Sequence, residues 1–264
     1  MKKGQRPKHQ VVCILVEGNS EIRVLQQILF SLYDKINPFI EVFFPTIVED
    51  NTPRCGDITS MKGVNAKTIN GCIVKLFITP FLNKQKLYPK DLTEIIHIVD
   101  MDGAYIDDSS IIVGENPLGI DKVYYGEDRI LTTNVENIKE RNQRKRENID
   151  VLCSQTGIKV ETKTIPYSIY FFSSNLDHVL HNDANIVSGS EKVIKADKYA
   201  SRFVDVPEAF VKSINDIPGT LHDLTYEETW DFIRQRNNNS LERHTNINLL
   251  FEKLLNEVQE EITK

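Results

Sequence analysis

Apolar residues in this chain gather first into unbroken runs. Val11-Val12-Cys13-Ile14-Leu15-Val16 and Glu94-Ile95-Ile96-His97-Ile98-Val99 are rich in β-branched side chains and lack polar alternation. That is the pattern of strands buried on both faces of a parallel sheet. After the first run, Glu17-Gly18-Asn19-Ser20 reads as a turn and helix N-cap, and Ile22, Leu25, Ile28, Leu29 and Leu32 then recur at helical spacing. Residues 40–44 predict a second strand, ended by Pro45. Residues 48–62 read as a loop, and Ala66, Ile69, Ile73, Leu76 and Phe77 predict a helix ending near Pro80. The second run leads into Asp100-Met101-Asp102-Gly103.

Beyond it the pattern loosens. Residues 104–133 have no clear period and read as an insertion with short strands. Residues 134–155 predict a polar helix whose densest basic stretch, 139–146, reads as a solvated face that could also contact phosphates. Residues 160–165 and 168–172 predict two more strands. After Ser174 the pattern is helical to the end. It includes a capping box at Thr225 and Glu228 and an amphipathic stripe, Ile247, Leu250, Phe251, Leu254, Leu255, Val258 and Ile262, read as core or docking face. The alternation predicts an α/β fold, a mostly parallel sheet flanked by helices. Its expected parts are a basic arm at 1–9, a core at 10–175 with an insertion around 104–157, and a helical C-terminal region at 176–264.

Composition narrows the function. Of 264 residues, 40% are hydrophobic and 27% charged, enough apolar material for a packed core. The net charge of −6 argues against passive coating of nucleic acid, which calls for a basic surface. Cys13, Cys55, Cys72 and Cys153 form no CxxC pair, so a zinc knuckle is disfavoured and a reducing cytosol is the simplest compartment. No apolar stretch approaches the ~20 residues of a membrane helix. The expectation is a soluble, cytoplasmic protein without membrane contact.

The chemistry sits at strand ends. Glu17 leaves one predicted strand; Asp100 and Asp102 leave another. In parallel sheets the carboxyl ends share one edge, where ligands bind. Asp100 and Asp102 point the same way if the chain stays extended. Clustered carboxylates repel one another, and a hard cation such as Mg²⁺ relieves the repulsion and can activate a phosphoryl group.

The pieces Leu15-Val16-Glu17-Gly18-Asn19-Ser20-Glu21 and Ile98-Val99-Asp100-Met101-Asp102-Gly103 resemble the two signature motifs of the Toprim fold. Topoisomerases, bacterial primases, small RNA-maturation nucleases and overcoming-lysogenization-defect nucleases share that fold. The resemblance implies Glu17, Asp100 and Asp102 as catalytic residues and Mg²⁺ (or Mn²⁺) as cofactor. Glu21, from the E-G-x-x-E pattern of the nuclease branch, enters as a second-metal ligand. Residues 173–180 resemble a later acidic motif of RloB-like and abortive-infection Toprim proteins, which adds Asp177 as a metal ligand. Lys195 or Lys198 would be the nearby cation. By resemblance the chain is a nuclease cleaving DNA or RNA, an effector of anti-phage defence working with an ABC- or AAA-type ATPase. It lacks the extra domains of topoisomerases and the zinc ligands of primases.

Plainer roles compete at every position. Glu17 and Glu21 suit a first helical turn, Asp100 and Asp102 suit a solvated turn, and Asp177 suits a helix start. His97 reads as a core histidine. His178 and His181, three apart, read as packing residues before metal ligands. A non-catalytic Toprim-fold regulatory subunit is the alternative function. The absence of a G-x-x-x-x-G-K-[ST] pattern disfavours a P-loop hydrolase.

Overall fold

Side-chain alternation along each strand decides which residues meet which helical layer. In a computed structural model of the chain, residues 9–49, 52–114, 118–119, 122–203 and 206–263 are described. Apart from His9, the basic arm expected at 1–9 lies outside them. The elements are β1 (Gln10–Leu15), α1 (Asn19–Ile36), β2 (Ile40–Phe43), β3 (Ile47–Glu49), β4 (Thr52–Arg54), α2 (Ile69–Ile73), α3 (Thr79–Gln85) and β5 (Leu92–Asp100). Next come β6 (Ile111–Ile112), β7 (Tyr124–Tyr125), β8 (Ile130–Leu131), α4 (Val135–Cys153), β9 (Gly157–Val160) and β10 (Lys163–Phe172). The chain closes with α5 (Leu176–His181), α6 (Gly189–Ala200), α7 (Pro207–Asn215), α8 (Tyr226–Ile233) and α9 (Ile247–Thr263).

Five strands form the main sheet in the order β2-β1-β5-β10-β9. The first four are parallel and β9 is antiparallel to β10. The fold is α/β with a mostly parallel sheet flanked by helices. Val11, Cys13 and Leu15 face one layer, with α2, α3, α4 and Trp230 of α8. Val12, Ile14 and Val16 face the other, with α1, α6, α7 and α9. The stripe on α9 is core from Ile247 to Val258, whereas Ile262 is exposed. The predicted capping box forms: Glu228 N donates to Thr225 Oγ1 (3.3 Å) and Thr225 N to Glu228 Oε2 (2.8 Å).

Three expectations need correction. The strands read at 160–165 and 168–172 are a single ten-residue strand, β10, with β9 before it. Pro166 does not break it, because β10 joins β5 only from Tyr167, so the missing N–H removes no bond from that ladder. The helix read to end near Pro80 runs on to Gln85 through a widened π turn, Val74–Ile78. That turn opens the ladder just before a residue that has no N–H to give. The loop read at 48–62 contains the β3–β4 hairpin. The insertion holds short strands as expected, a small sheet ordered β6-β8-β7 over its own core of Ile106, Ile111, Ile130 and Ile138.

Candidate functional site

Strand parity sends the terminal acids of β1 and β5 to opposite sides of the sheet. Glu17 continues the Val11, Cys13, Leu15 face towards α4. Asp100 continues the Ile96, Ile98 face towards α1 and α6. Asp102 does not point with Asp100 as the extended-chain reading required. The strand ends at Asp100, and Asp102 takes the left-handed conformation, φ +51°, which turns its carboxylate towards α4. Gly103 follows at φ +66°, where a Cβ would lie 2.6 Å from Leu241 Cδ2, so only glycine fits. Met101 N and Asp102 N donate to Phe172 O (2.8 Å) and Ser174 O (2.9 Å), tying the end of β5 to the end of β10.

On the α4 side, Glu17, Asp57 and Asp102 converge on the ammonium of Lys145. Its Nζ lies 2.7 Å from Asp102 Oδ2, 3.1 Å from Asp57 Oδ2 and 3.3 Å from Glu17 Oε2. The Lys145 side chain is fully buried, while those of Glu17, Asp57 and Asp102 are 10%, 20% and 21% exposed. One carboxylate oxygen from each acid lies within 4.8 Å of the others. Burial alone would neutralise Lys145, but the three acids outweigh it and hold the ammonium charged far above its ordinary range. Burial pushes against Asp57 and Asp102 as well; Lys145, helped at Asp102 by Arg141, wins and keeps both ionised below the usual carboxylate range. Glu17 goes the other way. Burial and then the Asp57 charge raise it well above its ordinary value, against Lys145. Both its oxygens lie 3.3 Å from Lys145 Nζ, but only Oε2 is aligned to accept a hydrogen bond from it. Asp102 is fixed further by Tyr125 of the insertion, whose hydroxyl donates to Asp102 Oδ1 (3.2 Å) and accepts from Arg141 (2.8 Å).

On the α1–α6 side stand Glu21, Asp100 and Asp177. Glu21 is 6% exposed, and its Oε2 accepts no hydrogen bond among the described residues. Gly18 permits this placement: a Cβ there would sit 2.6 Å from Glu21 Oε2. Asp177 lies in the first turn of α5, capped by Asn175, and pairs with Lys192 at 3.4 Å. Burial raises Asp100 well above the carboxylate range, and Glu21 and Asp102 add to it. Burial likewise raises Glu21 and Asp177. A cavity of about 390 Å³ opens here, lined by Glu17, Glu21, Asp57, Asp100, Asp177 and Lys192 among others, with the first turn of α1 at its wall.

Four of the five acids singled out in the sequence line this cavity; Asp102 does not, and is bonded to Lys145 and Tyr125. The cations differ from those expected. Lys195 pairs with Asp183 and Glu191, Lys198 is exposed, and neither lines the cavity. Lys145 and Lys192 take their place. The basic stretch 139–146 is not simply a solvated face: Asn142 and Lys145 are buried and Arg141 stacks over Tyr125. The signal was present, because Ile138, Asn142, Lys145, Ile149 and Leu152 fall on one helical stripe, so two polar residues occupy core positions. Asp57, inside the segment read as loop, left no such signal. His97 is a core residue bonded to Tyr167 Oη (2.8 Å) and pushed down to about 4 by burial. His178 is pushed down to about 4 by burial, and His181 packs against Tyr199. No group of three close ligands among the described residues includes either.

No helix among the described residues is long and apolar enough to cross a membrane. No known protein family, curated protein or solved structure matches the chain.

Proposed function

We propose that this chain is a divalent-metal-dependent nuclease, with Glu17, Asp100 and Asp102 as its catalytic acids. The observation that carries the reading is the arrival of acids from the ends of β1, β5 and β10 at one cavity, with Glu21 Oε2 buried there and unbonded. Glu21, Asp100 and Asp177 on the cavity wall would hold Mg²⁺ or Mn²⁺, with Glu17 beside them and Asp102 bonded to Lys145. The donor chemistry fits, since hard carboxylate oxygens suit these ions, and burial, followed by repulsion from neighbouring acids, holds several of the carboxyls above their ordinary range. Such an ion, when bound, polarises a phosphoryl oxygen and acidifies a coordinated water.

The chain's own groups complete the arrangement. Lys192, a third exposed at the cavity rim, and the first turn of α1 offer a cation and backbone N–H groups to a phosphate. Arg141 and Tyr125 hold Asp102 in its left-handed turn. Glu17, which burial raises well above its ordinary range, is the acid placed to exchange a proton with the reacting groups. The resemblance extends the proposal to an anti-phage effector with an ATPase partner.

One observation favours a second reading, a non-catalytic subunit: the three acids grouped closest among the described residues already share the ammonium of Lys145. The two readings separate on purified full-length chain incubated with plasmid, linear DNA and RNA in Mg²⁺ or Mn²⁺. The nuclease reading expects cleavage that stops with chelator and falls about 100-fold or more in Glu17→Gln and Asp100→Asn, the scale of a lost metal ligand. Equal behaviour of wild type and variants leaves the second reading.

A further inference from the structure

A space bounded by three carboxylates within 4.8 Å of one another suits one small cation. Here that space is filled by part of the chain itself. Lys145 Nζ has three N–H donors and three carboxylate acceptors at 2.7–3.3 Å. A divalent ion would need the same oxygens at ~2.1 Å and could not share them with the ammonium.

Nor is Lys145 free to withdraw. Neighbouring side chains of α4 bolt the helix to two of the three segments that carry the acids, those of Asp102 and Asp57. Arg141 donates to Asp102 O (2.8 Å), Asn142 to Gly103 O (3.1 Å) and Arg146 to Ala104 O (2.7 Å). Arg144 donates to Ser60 O (2.8 Å) and Asn148 to Thr59 O (2.8 Å), gripping the loop of Asp57. Pulling the ammonium out means breaking this set together.

The opposite side has no such plug. Glu21 is more than nine-tenths buried with Oε2 unbonded, and Asp100 and Asp177 line the same cavity. Lys192 there pairs with one acid among the described residues, Asp177 at 3.4 Å, and is a third exposed, so it can swing to solvent.

We propose that Lys145 is a built-in cation standing in place of one metal ion, a positioning residue that never touches substrate. The site then takes a single divalent ion on the side of Glu21, Asp100 and Asp177, whose carboxylates must draw together around it, because Glu17, Asp57 and Asp102 are the group of three found within 4.8 Å of one another among the described residues. This rests on the metal-dependent reading above.

Counting ions tests it. Mn²⁺ is titrated into the full-length chain, and unbound Mn²⁺ is read by electron paramagnetic resonance. The wild type should bind about one tight Mn²⁺ per chain, and Glu21→Gln and Asp177→Asn should lose at least tenfold in affinity for it. Lys145→Met, where it folds, should bind a second. Two tight ions in the wild type overturn the inference and leave the metal-dependent reading standing. A single ion indifferent to Glu21→Gln and Asp177→Asn overturns it too, because the ion would then sit among Glu17, Asp57 and Asp102. No bound Mn²⁺ at all removes the metal-dependent reading and this inference with it. The wild type and the two carboxylate variants decide the matter even if Lys145→Met does not fold.

Discussion

The two sides of the cavity hold similar acids in opposite electrostatic states. Towards α4, Asp57 and Asp102 are ionised, bonded and locked by a buried lysine. Towards α1 and α6, burial raises Glu21, Asp100 and Asp177, Glu21 Oε2 accepts no hydrogen bond among the described residues, and Lys192 pairs with Asp177 from the rim. Desolvation opposes charge on both sides. What separates them is whether a full counter-charge is buried alongside. On the proposed reading, one side is a finished structural unit and the other is where a cation binds.

Removing each lysine probes that contrast most strongly. Lys145→Met leaves buried acids uncompensated and should destabilise the chain by about 3–5 kcal/mol. Lys192→Met breaks a partly exposed pair and should cost about 1 kcal/mol or less. Denaturant midpoints of the two variants measure this directly; equal losses would erase the distinction between the sides.

A smaller effect sharpens the open side. In Gly18→Ala the new methyl group would meet the end of the Glu21 side chain, which can give way. Stability should hold to within about 1 kcal/mol, while Mn²⁺ affinity falls about tenfold, the usual scale for disturbing a ligand's support. Calorimetric titration beside a thermal melt reads both. Unchanged affinity would remove Glu21 from the ion's surroundings.

A separate signal is in pH. Glu17 and Asp100 are raised, so above about pH 4 the unfolded chain has released protons that the folded chain still holds. Metal-free stability should therefore decline as pH rises from about 5 to 8. Asp57 and Asp102 are depressed; their contribution is complete above about pH 4 and is lost only as pH falls through their folded values. They add no slope in the higher window. Saturating Mg²⁺ displaces the protons and should flatten or reverse the decline. Melting curves across pH with and without Mg²⁺ show it, and a metal-free stability that rises from pH 5 to 8 would contradict the assignment.

Much of this was legible in the residues. The unbroken runs at β1 and β5 announced strands buried on both faces, and the acids at their ends announced the edge where chemistry gathers. Parity even separates Glu17 from Asp100. What defeated the reading was backbone detail and distance. One left-handed residue, Asp102, changes sides, and no spacing rule foretells that. Asp57 reaches the site from an irregular segment without period. Lys145 hid in a helix so polar that it looked solvated, though its place on the stripe of Ile138, Ile149 and Leu152 marked it as buried. Lys192 was passed over for Lys195 and Lys198 because only the docking of α6 decides which lysine faces Asp177.

The central claim, that these carboxylates form a site for a divalent cation, is tested most directly by calorimetric titration of Mn²⁺ into wild type and Asp100→Asn in two buffers of different ionisation heat. The account predicts saturable binding with net proton release in the wild type, since raised carboxyls must give up protons to the metal, and binding at least tenfold weaker in the variant. Saturable binding that is identical in Asp100→Asn, or no saturable binding in either, would contradict it.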